Sequence, residues 1–383
     1  MNILVIGNGF DVAHGLPTKY QRFLGFVYYF GLYAKGFNIN DVLDYEHKNN
    51  SKYYIKYFEK LKDEIKKEYT DLINNNIWFE HFTNVYKEKL KNKQNWIDFE
   101  AEISNVIQEL DRIRKHLLDL KSQDSINSVA KIHTEYRIIV NLNEYLQENC
   151  GRFDGFNFTL QRVAMIKNIL LNDLNSLTRC LELYLTDFIE YDKCKKNKLI
   201  SDIDADFLLN FNYTDTYLKT YVESKRHGSF VTNKTNYIHG RAKKENTIEN
   251  CDLVLGIEEY LEGDDRNKDN EYIEFKKFYQ RIFKGTGSKY KTWLNRNKDE
   301  RIFTYIFGHS IATTDGDIIK NLIEASYKTT IYYHSKDALH DIILNLVQII
   351  GVEELITRTS DDSRSIIFKP TPCYVTIDHR HQK

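Results

Sequence analysis

Glycine and proline are distributed very unevenly along this chain. Residues 37–150 contain neither of them, and no proline lies between Pro17 and Pro370. So long a segment without either residue favours long helices, because both residues destabilise helix interiors. Short apolar runs that resemble strands lie on both sides of the segment. The sequence therefore predicts an α/β chain that carries a large helical insertion.

Apolar residues in this region recur at the three- and four-residue spacing of one helix face. The clearest stripe comprises Trp96, Phe99, Ile103, Val106, Leu110, Ile113 and Leu117. Similar stripes run from Trp78 to Tyr86 and from Leu160 to Leu181. Their simplest interpretation is a bundle of helices, so we expect an all-helical insertion over residues 37–200.

Short continuous apolar runs, typical of parallel strands buried on both faces, flank the insertion. They are Asn2–Ile6, Asp206–Phe211, Thr235–Ile238, Asp252–Leu255, Ile302–Phe307 and Thr329–Tyr333, with a less distinct strand at Arg364–Phe368. Helices are predicted at 11–30, 215–225, 271–284, 315–328 and 337–350. These patterns predict a Rossmann-like parallel sheet formed by residues 1–36 and 201–383.

The composition limits the class of partner. The formal net charge of −1 gives no general attraction to nucleic acid, so a nucleic-acid partner is not expected. No apolar run approaches the roughly 18 residues that span a membrane, and the N-terminus is a predicted strand rather than a signal peptide. The five cysteines form no Cys-x-x-Cys pair. These features favour a cytoplasmic protein with neither a zinc site nor a membrane segment.

Glycine and polar residues follow the predicted strands, where open parallel sheets bind their ligands. The residues, in chain order, are Gly7, Asn8, Gly9, Asp11, Thr18, Asn212, Tyr213, Asp215, His239, Gly256, Gly308, Ser310 and Asp317. One such motif would be an ordinary turn. Five or six motifs at successive strand ends favour one shared nucleotide site.

The glycine motif Gly7-Asn8-Gly9 also allows a simpler interpretation. Glycine lets a backbone approach a phosphate, and the amide groups of the following helix favour an anion. However, Val12 stands where the dinucleotide fingerprint Gly-x-Gly-x-x-Gly has its last glycine, so a plain tight turn is the alternative.

The polar motifs have alternatives as well. Asn212 or Asp215 can cap the next helix, and Asn210 competes with Asn212 for a role in the site. A lone histidine such as His239 is most often only hydrogen-bonded. Ser310 has no Ser-His-Asp pattern around it, so it is interpreted as a ribose or phosphate ligand.

The segment Ile3–Tyr20 resembles the start of AbiH proteins, a family of bacteriophage abortive-infection proteins. The same resemblance is carried, in order along the chain, by Asn210–Thr216, Ile238–Gly240, Leu253–Glu258, Phe307–Ser310 and Asp315–Asp317. It implies a role in anti-phage defence.

A more distant resemblance is to sirtuin-type NAD-binding domains. Gly7–Asp11 and His14–Tyr20 match the sirtuin opening motifs in spacing, and Asn212–Asp215, His239-Gly240 and Gly308–Ser310 follow in sirtuin order. By that similarity Asn212 and His239 would be catalytic, and Gly308 and Ser310 would hold ribose and phosphate.

The chain departs from the sirtuin pattern at several points. Asp11 replaces a serine, and Thr18-Lys19-Tyr20 stands where sirtuins have Asp-Phe-Arg. One extra residue separates Asn212 from Asp215. The zinc-binding cysteine pairs of sirtuin deacylases are absent, which argues against deacylation.

The two resemblances together imply a reaction. NAD would be the substrate, hydrolysed to nicotinamide and ADP-ribose without a metal. Catalysis would rest on Asn212 and His239, and the other strand-end residues would bind the nucleotide. Two rival functions remain open: a nucleotide sensor without turnover, and a metal-dependent nucleotidase or nuclease that uses Asp11, Asp315 and Asp317.

The insertion carries charged faces, such as Lys60–Lys67 and Lys87–Lys93, and an aromatic and acidic segment at Trp96–Glu100. We expect it to cover the nucleotide cleft or to form a homo-oligomer contact. A phage-derived trigger would shift its position by binding the two arrangements differently. The simpler interpretation is that these helices only complete the core.

Overall fold

The computed structural model describes residues 1–36, 51–91, 98–122, 130–131, 138–139, 142, 157–257, 270–296, 300–360 and 364–371. The chain forms two units. The sheet unit comprises Met1–Lys19, Glu182–Glu245 and Arg281–Lys383, and the helical unit comprises Tyr20–Leu181 and Asn246–Gln280. The sequence-based division had placed residues 20–36 and 246–280 with the sheet, and residues 182–200 with the helices.

Eight strands occur in the described residues. In chain order they are β1 (Asn2–Ile6), β2 (Ala130–Lys131), β3 (Asn157–Phe158), β4 (Phe207–Asn210), β5 (Thr235–Tyr237), β6 (Phe303–Phe307), β7 (Lys328–Tyr333) and β8 (Ile366–Pro370). Six of them form one sheet in the order β5-β4-β1-β6-β7-β8, and all of its pairings are parallel. The predicted α/β class and parallel sheet are confirmed.

The strand order is that of a Rossmann sheet, in which the chain runs outward from β1 on one side and then returns to continue on the other. The order therefore reverses at β1, whose neighbours are β4 and β6. In such sheets ligands bind beyond the carboxyl ends of the strands at this reversal. Gly7 follows β1 directly and Gly308 follows β6 directly, so both lie at that point.

The buried sequence of β1 explains its central position. Successive side chains of a strand point to opposite faces of the sheet. Ile3 and Val5 accordingly join one apolar cluster, while Leu4 and Ile6 join another. All four are at most 1% exposed, which is the burial expected of a strand covered on both faces.

Helices cover the sheet. The α-helices of the sheet unit are Asn8–Ala13, Lys198–Ser201, Thr216–Tyr221, His227–Lys234, Lys289–Arg296, Gly316–Ala325, Lys336–Ile350 and Val352–Thr359. Helix Lys277–Phe283 joins the segment 246–280 to this unit. The predicted helix at 11–30 is in fact two helices, because a turn at Gly15, with φ at +78°, ends the first of them.

The helical unit contains most of the predicted stripes. Its helices are Tyr20–Ala34, Ser51–Lys60, Asp63–Ile73, Ile77–Lys91, Phe99–Ser122 and Leu160–Leu183, the last of which ends in the sheet unit. The stripe from Phe99 to Leu117 is at most 1% exposed. Trp96 lies outside the described residues, as do the side chains of most of the Lys87–Lys93 run. In the described part of the chain, no helix has the length and apolarity to cross a membrane.

The predicted strand Asp252–Leu255 is wrong. Leu253, Val254 and Leu255 are buried, but no strand among the described residues pairs with them. Instead, the side-chain amide of Gln280 accepts from Leu255 N at 3.0 Å and donates to Leu255 O at 3.0 Å. A side chain thus satisfies the backbone where a neighbouring strand was expected.

Candidate functional site

Two loops meet through their glycines at the ends of β1 and β6. A side-chain Cβ on Gly308 would lie 2.2 Å from Phe10 N, and one on Gly7 would lie 2.7 Å from Gly308 O. Gly308 also has φ at +65°, a conformation that favours glycine. These glycines are therefore required for the contact between the two loops.

The amide groups of the glycine loop have partners within the protein. Gly7 N donates to Phe307 O at 3.2 Å, and Gly9 N donates to Gly308 O at 2.8 Å. A helix N-terminus binds an anion through amides that are not already used. The phosphate-binding role of Gly7 and Gly9 stays a prediction, and the contacts seen here join loop to loop.

Asn212 connects the end of β4 to the glycine loop. Its side-chain Nδ2 donates to Gly7 O at 2.9 Å, and the residue is 5% exposed. Asn210, its competitor in the sequence, holds the turn itself, since its Oδ1 accepts from Asn212 N and its Nδ2 donates to Thr214 O. The structure therefore assigns Asn210 to the turn and directs Asn212 toward the β1 loop.

Asp11 is completely buried beneath this turn. Thr214 Oγ1 donates to Asp11 Oδ2 at 2.6 Å, and Thr214 and Thr216 share a second hydrogen bond at 3.0 Å. Burial raises the pKa of Asp11 from its usual 3.8 to about 6, and side-chain hydrogen bonds from Thr214, Thr216 and Asn212 oppose that rise.

His239 and His309 lie on either side of one carboxylate. His239 Nε2 is 3.2 Å from Asp315 Oδ1, and His309 Nε2 is 3.8 Å from Asp315 Oδ2. The ring of Phe211 packs edge-on against His309, with 4.2 Å between centroids, and lies 5.7 Å from the ring of His239. His239 thus faces a carboxylate at a place where both side chains are buried.

The loop after β6 is unusual at Ile311. Its backbone N–H donates to His309 Nδ1 at 2.9 Å. Its φ is +56°, although β-branched residues rarely adopt this conformation, which costs on the order of 1–3 kcal/mol. The Ile311 side chain is completely buried, so packing holds the residue in this conformation.

Asp215 belongs to a separate cluster. Arg241 binds both of its oxygens, at 2.8 and 2.7 Å, and Tyr237 Oη donates to Oδ1 at 2.6 Å. Asp215 stands at the N-cap of helix Thr216–Tyr221, but its side chain makes no capping hydrogen bond. The hydrogen bond that Arg241 donates to Asp215, together with the opposite charges of the two groups, raises the pKa of Arg241 further. The carboxylate is therefore engaged by side chains of the protein.

The remaining predicted residues lie in different places. Thr18 Oγ1 donates to Asn8 Oδ1 at 2.8 Å, and Tyr213 O accepts from Ala242 N at 2.8 Å. Ser310 is exposed, and its carbonyl accepts from Asn345. Asp317 is exposed as well and lies 3.6 Å from Arg281.

Gly256 lies in the helical unit and follows no strand. A Cβ at this position would lie 2.4 Å from Phe275 O, so a close backbone contact requires the glycine. The neighbouring Glu258 of the same motif lies outside the described residues.

The three carboxylates of the metal-dependent rival have separate partners. Asp11 accepts from Thr214, Asp315 faces two histidines, and Asp317 faces Arg281. Among the described residues, no group of three or more His, Cys, Asp or Glu side chains is arranged to hold a metal ion.

Sequence reasoning missed Asp315 as the partner of His239 and His309 as a second histidine beside that carboxylate. Asp315 was named only as part of the Asp315–Asp317 motif and as a metal ligand, and His309 only as the middle of the Gly308–Ser310 motif. The signal was present, because His309 follows β6 as His239 follows β5, and parallel strands end at the same edge of a sheet. A second histidine at that edge was therefore a candidate.

The chain was compared with known proteins. Residues 3–334 match the model of a protein family described as bacteriophage abortive infection AbiH. The match covers well over half of the 383 residues and includes every site residue described above. Searches of curated proteins and of solved structures found no match. The chain therefore belongs to the AbiH family of bacteriophage abortive-infection proteins.

Proposed function

We propose that the protein acts in abortive infection by hydrolysing NAD to nicotinamide and ADP-ribose. The observation that carries the proposal is the buried pair of His239 and Asp315 at the carboxyl edge of a sheet with Rossmann strand order. A Rossmann edge is a common site for nucleotides, and a histidine oriented by a carboxylate is a common general base. The sequence resemblance to sirtuin NAD-binding domains supports NAD as the substrate.

His239 would accept the proton of the attacking water. If Nε2 carries the hydrogen that faces Asp315, the lone pair of the neutral ring lies on Nδ1. Asp315 then stabilises the imidazolium that forms, as the aspartate of a catalytic triad does. The base is also held in one orientation, which favours proton transfer along a fixed line.

Asn212 would orient the water or a ribose hydroxyl. Because its Nδ2 donates to Gly7 O, the plane of the amide is fixed. Its Oδ1 is the acceptor that remains for a substrate hydroxyl or for the water. This arrangement brings the asparagine to the loop that follows β1, at the reversal of the strand order.

The proposed reaction replaces one bond at the ribose C1′ by another. The C1′–N bond to nicotinamide breaks, and its electron pair returns to the pyridinium ring, so the leaving group is neutral without protonation. The transition state has oxocarbenium character. The water oxygen forms the new C1′–O bond, and its proton passes to His239.

The direct experiment follows nicotinamide release by chromatography from NAD, with NADP and ATP as comparison nucleotides. His239→Gln and Asn212→Ala should each lower kcat by about 100-fold or more, because each removes a group that acts on the water. His227→Gln is the control, since this histidine of the same unit only contacts Val222 O. Full turnover in both site variants would contradict the proposal.

Two further measurements separate the rival functions. A sensor would bind NAD in calorimetry and release no nicotinamide. A metal-dependent nucleotidase would lose activity in excess chelator and regain it with magnesium or manganese, whereas the proposed hydrolysis should be unchanged by the chelator.

A further inference from the structure

His309 is the third member of the buried group around Asp315. The two oxygens of the carboxylate face different rings, Oδ1 toward His239 and Oδ2 toward His309. The side chains of all three residues are at most 8% exposed. Both histidines therefore face the same carboxylate, one at each oxygen.

The backbone decides which nitrogen of His309 carries a proton. Ile311 N–H donates to Nδ1 at 2.9 Å, and an amide nitrogen can only donate. Nδ1 must then be the acceptor, so the hydrogen of the ring lies on Nε2 and points toward Asp315. The Nε2–H of His309 thus faces the carboxylate, with 3.8 Å between Nε2 and Asp315 Oδ2.

The loop is shaped to make this contact. Ile311 presents its N–H to the ring from the left-handed conformation, at φ +56°, that only a few non-glycine residues adopt. Phe211 packs against the ring from the side. Backbone strain at a residue that orients a buried histidine is typical of functional sites.

We propose that His309 is a positioning residue, whose Nε2–H faces one oxygen of Asp315 across 3.8 Å and orients the carboxylate by charge–dipole attraction, so that the other oxygen faces His239. Its effect on turnover rests on the function proposed above. The series of contacts from Ile311 through His309 and Asp315 to His239 is independent of any substrate, so it can be tested separately.

Two substitutions divide the two contacts of His309. In His309→Asn the amide reaches the position of Nδ1, so it keeps an acceptor for Ile311 N–H and loses the N–H that faces Asp315. In His309→Gln the amide reaches the position of Nε2, so it keeps an N–H that faces Asp315 and loses the acceptor. The glutamine variant is therefore the conservative one for positioning.

The first test is NMR of the full chain labelled with ¹⁵N-histidine, in which signals are assigned by the substitutions at His239 and His309. The wild-type protein should show His309 at neutral pH as a single Nε2–H tautomer. His239 should also show one tautomer, and that tautomer should become mixed in His309→Asn and remain single in His309→Gln. Detection of His309 as the Nδ1–H tautomer, or an unchanged His239 in a folded His309→Asn protein, would overturn the proposal. The wild-type measurement decides even if the asparagine variant does not fold.

The second test is turnover. His309→Asn should lower kcat for nicotinamide release by about tenfold or more with little change in KM, and His309→Gln should recover most of it. Equal losses in both variants would assign His309 to a merely structural role. If the wild-type protein releases no nicotinamide, the proposed hydrolysis fails, and the tautomers alone still decide whether His309 orients Asp315.

Discussion

Two buried aspartates of the sheet unit have different surroundings and therefore different chemistry. Asp315 faces two imidazole rings, which suits a carboxylate that orients and stabilises a charged histidine. Asp11 accepts hydrogen bonds from neutral side chains, the strongest from Thr214, and burial raises its pKa to about 6.

The raised pKa of Asp11 predicts how the stability depends on pH. The folded value of about 6 lies above the usual 3.8, so the folded protein binds this proton more tightly than the unfolded chain. The free energy of unfolding therefore decreases by about 3 kcal/mol as the pH rises from about 4 to about 6. Asp11→Asn should remove this loss and be the more stable protein at pH 7, as measured by urea unfolding.

The control for this prediction is Asp202→Asn, an exposed aspartate of the same unit. The free energy of unfolding of this variant should stay within about 0.5 kcal/mol of the wild-type value at pH 4 and at pH 7. If the difference between Asp11→Asn and wild type does not grow between pH 4 and pH 7, the burial of a charged Asp11 is not what limits stability.

At the scale of elements, the site depends on the close approach of the loops after β1 and β6. Gly7, Gly9 and Gly308 allow this approach, and Gly9 N donates across it. Asn212 adds a third segment to the same point through Gly7 O. Backbone contacts therefore hold the ends of these strands together. The positions of His309 and Asn212 depend on these contacts.

Gly308→Ala tests this close contact against a matched glycine. Its new Cβ would lie 2.2 Å from Phe10 N, whereas Gly285, with nearly the same φ of +67° against +65°, has open space at its Cβ position. Both substitutions should cost about 1 kcal/mol through the backbone conformation. Gly308→Ala should cost at least about 2 kcal/mol more, because the loops must separate. Equal thermal midpoints for the two variants would show that the contact is loose.

In a second element, the segment 252–255, one side chain binds both backbone groups of Leu255. Gln280→Ala would leave the N–H and C=O of Leu255 buried without their partner, which should cost about 2–4 kcal/mol in urea unfolding. The matched control is Gln108→Ala, since Gln108 only donates to Ser104 within its own helix. A loss no larger than that of the control would mean that water or another group replaces Gln280.

At the scale of the whole molecule, the helical unit is proposed as the contact between copies of the chain. Three of its lysines are exposed: Lys60 ends one helix, Lys62 caps the start of the next, and Lys67 lies within that second helix. Replacing all three by glutamate should change the assembly state in analytical ultracentrifugation, because the charge of the contact surface is reversed. The free energy of unfolding should stay within about 0.5 kcal/mol of the wild-type value, as it does for most surface substitutions.

The control for the charge reversal is Lys336→Glu, an exposed lysine of the sheet unit. It should behave as the wild-type protein in ultracentrifugation. If the triple variant also assembles as wild type, this face of the helical unit is not the contact.

The buried segments, and the spacing of the apolar residues within them, could be predicted from the amino-acid sequence alone. Continuous apolar runs predicted the six strands of the sheet, and stripes at helical spacing predicted the helices from Phe99 to Ser122 and from Leu160 to Leu183. Both predictions succeeded because burial follows side-chain chemistry, which the sequence states directly. The same rule failed at Asp252–Leu255, which is buried but forms no strand, and where the side chain of Gln280 binds the backbone of Leu255.

The hydrogen-bond and ion-pair partners of the polar residues could be identified only from the tertiary structure. The sequence placed Asn212, His239 and Gly308 at strand ends, but it could not show that Asp315 lies between two histidines or that Arg241 engages Asp215. These partners are brought together by the strand order, in which β5 and β6 lie on opposite sides of β1. Hydrogen bonds extend over about 3 Å, so a polar group acquires its partner only when the sheet has placed both segments side by side.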